Sequence, residues 1–182
     1  MRILIFGAGA VGLGIASCLL KSQVSTDLFC RKNTADSLKN YGLKRTGIFG
    51  DFQADPDNFD VFEDLNYMDK EYDFIMVCTK SGDTQSTAEQ LANHTEILKP
   101  NGIYILCQNG WGNAERFTQF FSQEKVYNAR VITGFIRPKP NEVDITVHAD
   151  SIHIGNLFKK PLEILEALCK KITKGGIPCE IT

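Results

Sequence analysis

Three glycines, Gly7, Gly9 and Gly12, follow directly on the apolar-rich stretch Arg2 to Phe6 in the run RILIFGAGAVG. A strand, a glycine turn and a helix joined without a spacer leave few folds open. The helix expected over Ala10 to Lys21 repeats Val11, Ile15, Cys18 and Leu19 at helical spacing. Each glycine then has a task. Gly7 permits a tight turn out of the strand, Gly9 lets backbone approach a diphosphate, and Gly12 lets the helix pack closely on the sheet. Ala8, Ala10 and Val11 complete a loop whose unpaired N–H groups and helix dipole favour an anion. G-x-G-x-x-G is a weak signal alone and gains meaning from the strand before it and the helix after it. The alternative is a tight turn that holds no ligand.

The remaining chain continues the alternation. Val24 to Cys30 reads as a second strand and Thr34 to Tyr41 as a short helix ended by Gly42. Less regular extended segments follow to about Leu65, with Asp55, Asp57, Asp60, Glu63 and Asp64 in a solvated loop and edge strand. Asp73 to Cys78 is a buried strand. Thr84 to Leu98 is expected as a helix with Ala88, Leu91, Ala92 and Thr95 inward, then a turn at Pro100-Asn101-Gly102 and a strand from Ile103 to Cys107. Asn113 to Phe121 fits a helix and Val126 to Val131 a strand. Ile132 to Arg137, Val143 to Val147 and Ser151 to Ile154 are expected as antiparallel additions to the sheet edge, with Arg137-Pro138-Lys139-Pro140 a stiff solvated turn. Pro161 opens a last helix carrying Leu162, Leu165, Leu168, Cys169 and Ile172, Gly175-Gly176 stops it, and Ile177 to Ile181 forms a closing strand. The fold class is α/β: a Rossmann-type, doubly wound, mostly parallel sheet with antiparallel additions at its C-terminal edge, forming one dinucleotide-binding domain over residues 1–182.

Charge narrows the partners. With 20 basic and 22 acidic residues, net −2, the chain has no positive surplus to neutralise a nucleic-acid backbone. Its apolar runs are too short for a membrane span, and no basic leader precedes Arg2, so a cytoplasmic location is expected. The six cysteines form no C-x-x-C pair and read as reduced, buried thiols.

Selectivity for NAD usually places a carboxylate at the end of the second strand, about 20 residues past the glycine motif. Here stand Cys30-Arg31-Lys32-Asn33, and the one nearby acid, Asp27, lies within the strand. A carboxylate would repel a 2′-phosphate, whereas Arg31 can fork onto it and Lys32 adds a second cation. NADP(H) is therefore the expected cofactor, the alternative being two solvated loop charges. Two more strand ends carry polar residues, Lys80 in V-C-T-K and Asn109 in Q-N-G. Taken singly, each also reads as a loop residue or helix cap.

Together G-A-G-A-V-G, Arg31, Lys80, Gln108-Asn109-Gly110 with Trp111-Gly112-Asn113, and Ile152-His153-Ile154-Gly155 resemble the ketopantoate reductase family along essentially the whole chain. The Q-N-G-x-G run is the most specific piece. The resemblance implies reduction of a 2-keto acid, of the 2-dehydropantoate to pantoate type used in pantothenate and coenzyme A biosynthesis, by hydride from NADPH. It implies that residues 7–12 hold pyrophosphate, Arg31 the 2′-phosphate, Lys80 the adenosine side, and Asn109 the nicotinamide ribose and the substrate. The family's proton-donor lysine belongs to a helical second domain, expected beyond Thr182, so this chain is expected to bind cofactor and turn over little. Two alternatives stay open: the same chemistry on another 2-keto acid, and a dinucleotide sensor without catalysis. The family often has a histidine where Ile145-Thr146-Val147 stands here, with His148 close by. His94, His148 and His153 are expected in structural or surface roles, without a metal. Oligomeric state is left open, a homodimer of the longer protein being one arrangement.

Overall fold

The structure, a computed structural model, describes residues 1–158 and 163–182. In chain order it places β1 (Arg2–Phe6), α1 (Ala10–Lys21), β2 (Ser25–Phe29), α2 (Lys32–Tyr41), β3 (Leu43–Gly47), β4 (Phe52–Ala54), β5 (Val61–Phe62) and β6 (Tyr72–Val77). Then come α3 (Thr84–Ala92), β7 (Leu98–Leu106), α4 (Asn113–Phe117), β8 (Val126–Arg130), β9 (Thr133–Ile136), β10 (Glu142–His148), β11 (Ile152–Gly155), α5 (Glu166–Gly175) and β12 (Cys179–Ile181).

Eight strands form the main sheet in the order β12-β11-β8-β7-β6-β1-β2-β5. Pairing is parallel throughout except between β8 and β11. Both faces are covered, and alternate residues of each central strand enter different cores. Ile3, Ile5, Phe74, Met76, Ile103 and Ile105 pack on the α1 and α5 side. Leu4, Phe6, Ile75, Val77, Tyr104 and Leu106 pack on the side of α3 and α4. That explains why these strands read as continuous apolar runs rather than alternating ones.

The expected antiparallel edge is present in part. β11 pairs antiparallel with β8, as read from Ser151 to Ile154. The Ile132–Arg137 and Val143–Val147 segments do not join that edge. As β9 and β10 they form a second, four-stranded sheet with β3 and β4, in the order β4-β3-β10-β9, and β10 runs parallel to β3. The cause is α1, whose residues Gly12 to Leu19 are all buried. One sheet cannot cover a helix that is apolar around its whole circumference. The second sheet covers the other side, with the Phe135 ring seated against Gly14, where any Cβ would overlap it.

Three further boundaries differ. α3 ends at Ala92, and Thr95 is exposed in a 3-10 turn rather than facing inward. Residues Pro100 to Gly102 lie within β7, at an irregularity between the pairs Tyr72–Leu98 and Phe74–Ile103, where a proline without an N–H costs no ladder bond. α4 stops at Phe117, short of the expected Phe121. The proposed helix start at Pro161 and Leu162 lies outside the described residues. From Glu166 the last helix continues as read, burying Leu168, Cys169 and Ile172.

Arg45 of β3 is fully buried between α1 and α5. Its guanidinium donates to the Ser17 hydroxyl (3.3 Å) and to the carbonyls of Gly175 (3.0 Å), Gly50 (3.2 Å) and Phe49 (3.3 Å). Its place at the last carbonyl of α5 also suits the helix dipole. Beside it, Gly175 meets the Cys18 backbone so closely that a Cβ would overlap the Cys18 carbonyl. Gly175→Ala is expected to force α1 and α5 apart and lower stability by about 2–3 kcal/mol, the range of an overpacked core. Urea unfolding checks this, and an unchanged midpoint would contradict the packing.

Candidate functional site

The carboxyl ends of β2, β1, β6 and β7 line up through backbone hydrogen bonds just past each strand. Gly7 N–H donates to Phe29 (2.9 Å), Cys78 N–H to Phe6 (2.8 Å) and Cys107 N–H to Val77 (2.9 Å). Four loops therefore start from one row. The chain moves from β1 to β2 and β5 on one side, then returns to β6 on the other, so the strand order reverses at β1. Ligands of doubly wound sheets bind at that reversal. Three strand spacings separate β2 from β7, about 14 Å.

The glycine turn is shaped as the motif predicts. Gly7 has φ +107°, a left-handed value that a side chain would strain, and a Cβ there would press on Thr79 N at 2.9 Å. A Cβ on Gly12 would overlap the Gly7 carbonyl oxygen, whereas one on Gly9 would meet nothing within 4 Å. Two glycines close the turn internally and the third faces open space. The first helical bond runs from Leu13 N–H to Gly9 (2.9 Å), leaving the amides before it without intrahelical partners. No side chain caps α1 and no acid lies in its first turn. Ala8 is buried beneath the turn, and Ala10 and Val11 are half-buried at its rim.

At the tip of β2, Arg31 is exposed and caps α2 with its backbone, its carbonyl accepting from Thr34 and Ala35 N–H at 3.0 Å each. Arg31 makes no ion pair among the described residues, while Lys32 reaches Asp36 at 3.1 Å on the surface. Asp27 is directed away from this tip. Buried in β2, it accepts from Tyr72 Oη (3.0 Å), the Asp60 N–H (3.0 Å) and Lys70 Nζ (3.4 Å). Burial pushes the Cys30 thiol up to about 12, with the Glu63 charge adding to the rise. Cys30 is therefore neutral beside Arg31. Glu63 is an acid the sequence did not bring near this place, and Lys39 pairs with it at 2.9 Å.

The structure also brings in residues that sequence reading missed. Arg137, expected in a solvated turn, donates from Nη2 to Thr34 Oγ1 in the first turn of α2 (2.7 Å) and to the Pro140 carbonyl (3.1 Å). Only a fold that lays β9 over this region reveals that neighbour. Gln108, read merely as part of a motif, is buried. Its Nε2 donates to Thr79 Oγ1 and to the Lys80 carbonyl, both at 3.0 Å. Thr84, with one hydroxyl proton to give, faces three acceptors: the Ser81 carbonyl at 2.8 Å, Asn113 Oδ1 at 2.9 Å and Gln108 Oε1 at 3.2 Å. Asn113 Nδ2 donates in turn to the Gln108 (3.3 Å) and Gly110 (3.1 Å) carbonyls. This buried ring ties the loop carrying Lys80 to the loop carrying Asn109. Lys80 itself is exposed, and Asn109 is exposed with its Nδ2 held on the Val131 carbonyl at 3.1 Å. Trp111 is almost wholly exposed, at 95%. The histidines have separate local partners: His94 with Glu96, His148 with Thr133, and His153 with Asp150.

A parallel sheet whose order reverses beside an open glycine turn defines a Rossmann-type α/β domain. The profile of the family "Ketopantoate reductase PanE/ApbA" matches residues 3–158. The chain belongs to the ketopantoate reductase family. A 2-dehydropantoate 2-reductase from Aquifex aeolicus is 30% identical over 179 residues, covering 98% of this chain and 54% of that protein. The chain thus spans about half the length of the curated relative it matches. Among solved structures, a 2-dehydropantoate 2-reductase from Geobacter metallireducens superposes with TM-score 0.86 at 23% identity, over 100% of this chain and 58% of that one. A ternary structure of D-mandelate dehydrogenase with NADH and anilino(oxo)acetate gives TM-score 0.80 at 19% identity, over 100% and 57% of the two chains.

The glycines separate ligand effects from folding effects. Gly12→Ala is expected to lose about 2–3 kcal/mol of stability through overlap with the turn. Gly9→Ala should stay within about 1 kcal/mol of the parent yet weaken dinucleotide binding about tenfold or more, because its methyl fills the approach to the amides. Thermal unfolding and calorimetry on both variants check this; equal losses of stability would show that the Gly9 space is not a ligand cradle.

Proposed function

We propose that this chain is the NADP(H)-binding part of a reductase acting on a 2-keto acid. The observation that carries the reading is the uncapped amino end of α1, open above Gly9 at the sheet's reversal point, with Arg31 one strand away. The amides ahead of Leu13 bind a diphosphate, helped by the helix dipole and free of any competing acid in that turn. Arg31 forks onto a 2′-phosphate, and the acids nearest by are already engaged elsewhere in the fold. Lys80 meets negative charge on the adenosine side.

Asn109 extends toward the nicotinamide ribose and the substrate. Its Nδ2 contact with the Val131 carbonyl fixes the plane of the amide, which leaves Oδ1 to accept from a hydroxyl. The bound cofactor supplies a hydride to the keto carbon, and the oxygen there must gain a proton as charge develops. None of the chain's 182 residues is assigned that proton-donor role. The chain alone is proposed to bind cofactor and turn over little, within a longer cytoplasmic enzyme of the 2-dehydropantoate-reducing type. A second substrate reading is another 2-keto acid: the D-mandelate dehydrogenase of like fold is seen in a ternary structure with NADH and anilino(oxo)acetate.

Calorimetry with NADPH and NADH tests the cofactor choice. The unmodified chain is expected to bind NADPH at least about tenfold more tightly, in keeping with a charge-assisted bidentate contact. Arg31→Ala should remove most of that ratio while changing NADH affinity less than about threefold. Equal dissociation constants in the unmodified chain would overturn the NADP(H) assignment.

A further inference from the structure

We infer that Arg137, the residue just after β9, is a second specificity-determining arginine for the cofactor's 2′-phosphate, acting together with Arg31. The inference rests on the NADP(H) reading above and adds to it a residue 106 positions away from Arg31 in the chain.

Three observations carry it. First, Arg137 is anchored at the amino end of α2, the helix that Arg31 caps, by the 2.7 Å bond from Nη2 to Thr34 Oγ1. The bond to the Pro140 carbonyl comes from the same nitrogen, so both anchors hold one arm of the fork. Nε and Nη1 keep donors for a ligand. Second, the positive charge of Arg137 is felt at Cys30, the residue immediately before Arg31, where it works against the rise that burial imposes on the thiol. Third, the acids around this corner are engaged: Asp36 by Lys32, Glu63 by Lys39, and Glu142 by Lys139. Arg137 has no carboxylate partner among the described residues. Arg31 at the cap of α2 and Arg137 on its first turn, neither with a carboxylate partner among the described residues, suit a phosphomonoester dianion. A ribose 2′-hydroxyl would gain little from the second arginine, so Arg137 acts on the choice between cofactors.

The test must separate charge from anchoring. Arg137→Gln keeps an N–H donor for Thr34 and removes the charge. Calorimetry of the whole chain with NADPH and with NADH, at low and moderate salt, is compared for the parent, Arg137→Gln and Arg31→Ala. Arg137→Gln is expected to bind NADPH about 5–20-fold more weakly, with NADH affinity within about twofold, an unshifted melting temperature and a shallower salt dependence. If NADPH affinity in Arg137→Gln matches the parent, or NADH affinity falls in the same proportion, Arg137 merely supports α2 and the inference is overturned. A parent that binds both cofactors equally overturns the NADP(H) reading first, and this inference with it. A parent that prefers NADPH while Arg137→Gln keeps the full preference leaves that reading intact and removes only the second arginine.

Discussion

Helix α1 is buried along eight consecutive residues, Gly12 to Leu19, and that burial decides where its amino end points. Isolated helices of this length are marginal in water, so tertiary packing must hold it. The main sheet takes one side, α5 approaches to backbone contact at Gly175, and the second sheet presses Phe135 onto Gly14. Gly12 then lies against the Gly7 carbonyl, and the turn between them has no room to vary. A helix so enclosed can present unpaired amides at one end without fraying, because its other contacts are insensitive to what happens there. The buried Arg45 serves the same enclosure. It satisfies carbonyls of α5 and of the 49–50 turn that the close approach of these elements would otherwise leave without donors.

Electrostatics at the β2 tip follow from the same economy of position. A carboxylate near a 2′-phosphate is harmful only if its charge faces the ligand. Asp27 is turned into the protein, where Tyr72 and Lys70 satisfy it; burial first, and then the Asp27 charge, raise the Tyr72 hydroxyl above its ordinary range. Glu63 is answered by Lys39. The positive character of the tip thus comes less from an excess of basic residues, which this chain lacks, than from where each acid finds its partner.

Much of this was legible in the chain because it is local. The strand, the three glycines and the start of α1 sit within eleven residues, and Arg31, Lys80 and Asn109 each lie just beyond an apolar run whose end is readable. What escaped is what depends on distant pairing. A strand's alternation reports that one face is buried, without saying on which sheet, so from sequence β9 and β10 read as additions to the main edge rather than as a second sheet. A sign was present in α1, whose residues are apolar or small on every side, a pattern that one sheet cannot cover. Arg45 had no such sign, since a charged residue in a short strand reads as solvated until its carbonyl partners are known. Arg137 escaped for a related reason: its partner Thr34 is 103 residues away.

Gln108, Thr84 and Asn113 show how motif residues can matter without touching a ligand. Each is buried, and their hydrogen bonds close between the loop after β6 and the loop after β7. A buried polar network is stiff, because losing one bond strands its partner in a dry environment. The Lys80 carbonyl is one of its acceptors, and Asn109 lies between Gln108 and the Gly110 carbonyl that Asn113 holds. The separation of Lys80 and Asn109 is consequently set when the chain folds. A ligand spanning them would meet two strand-end loops already in register, and little loop ordering would be charged against its affinity. The Q-N-G-x-G run owes its distinctiveness to this division: its asparagine is exposed, and the buried glutamine before it holds the floor on which that asparagine stands.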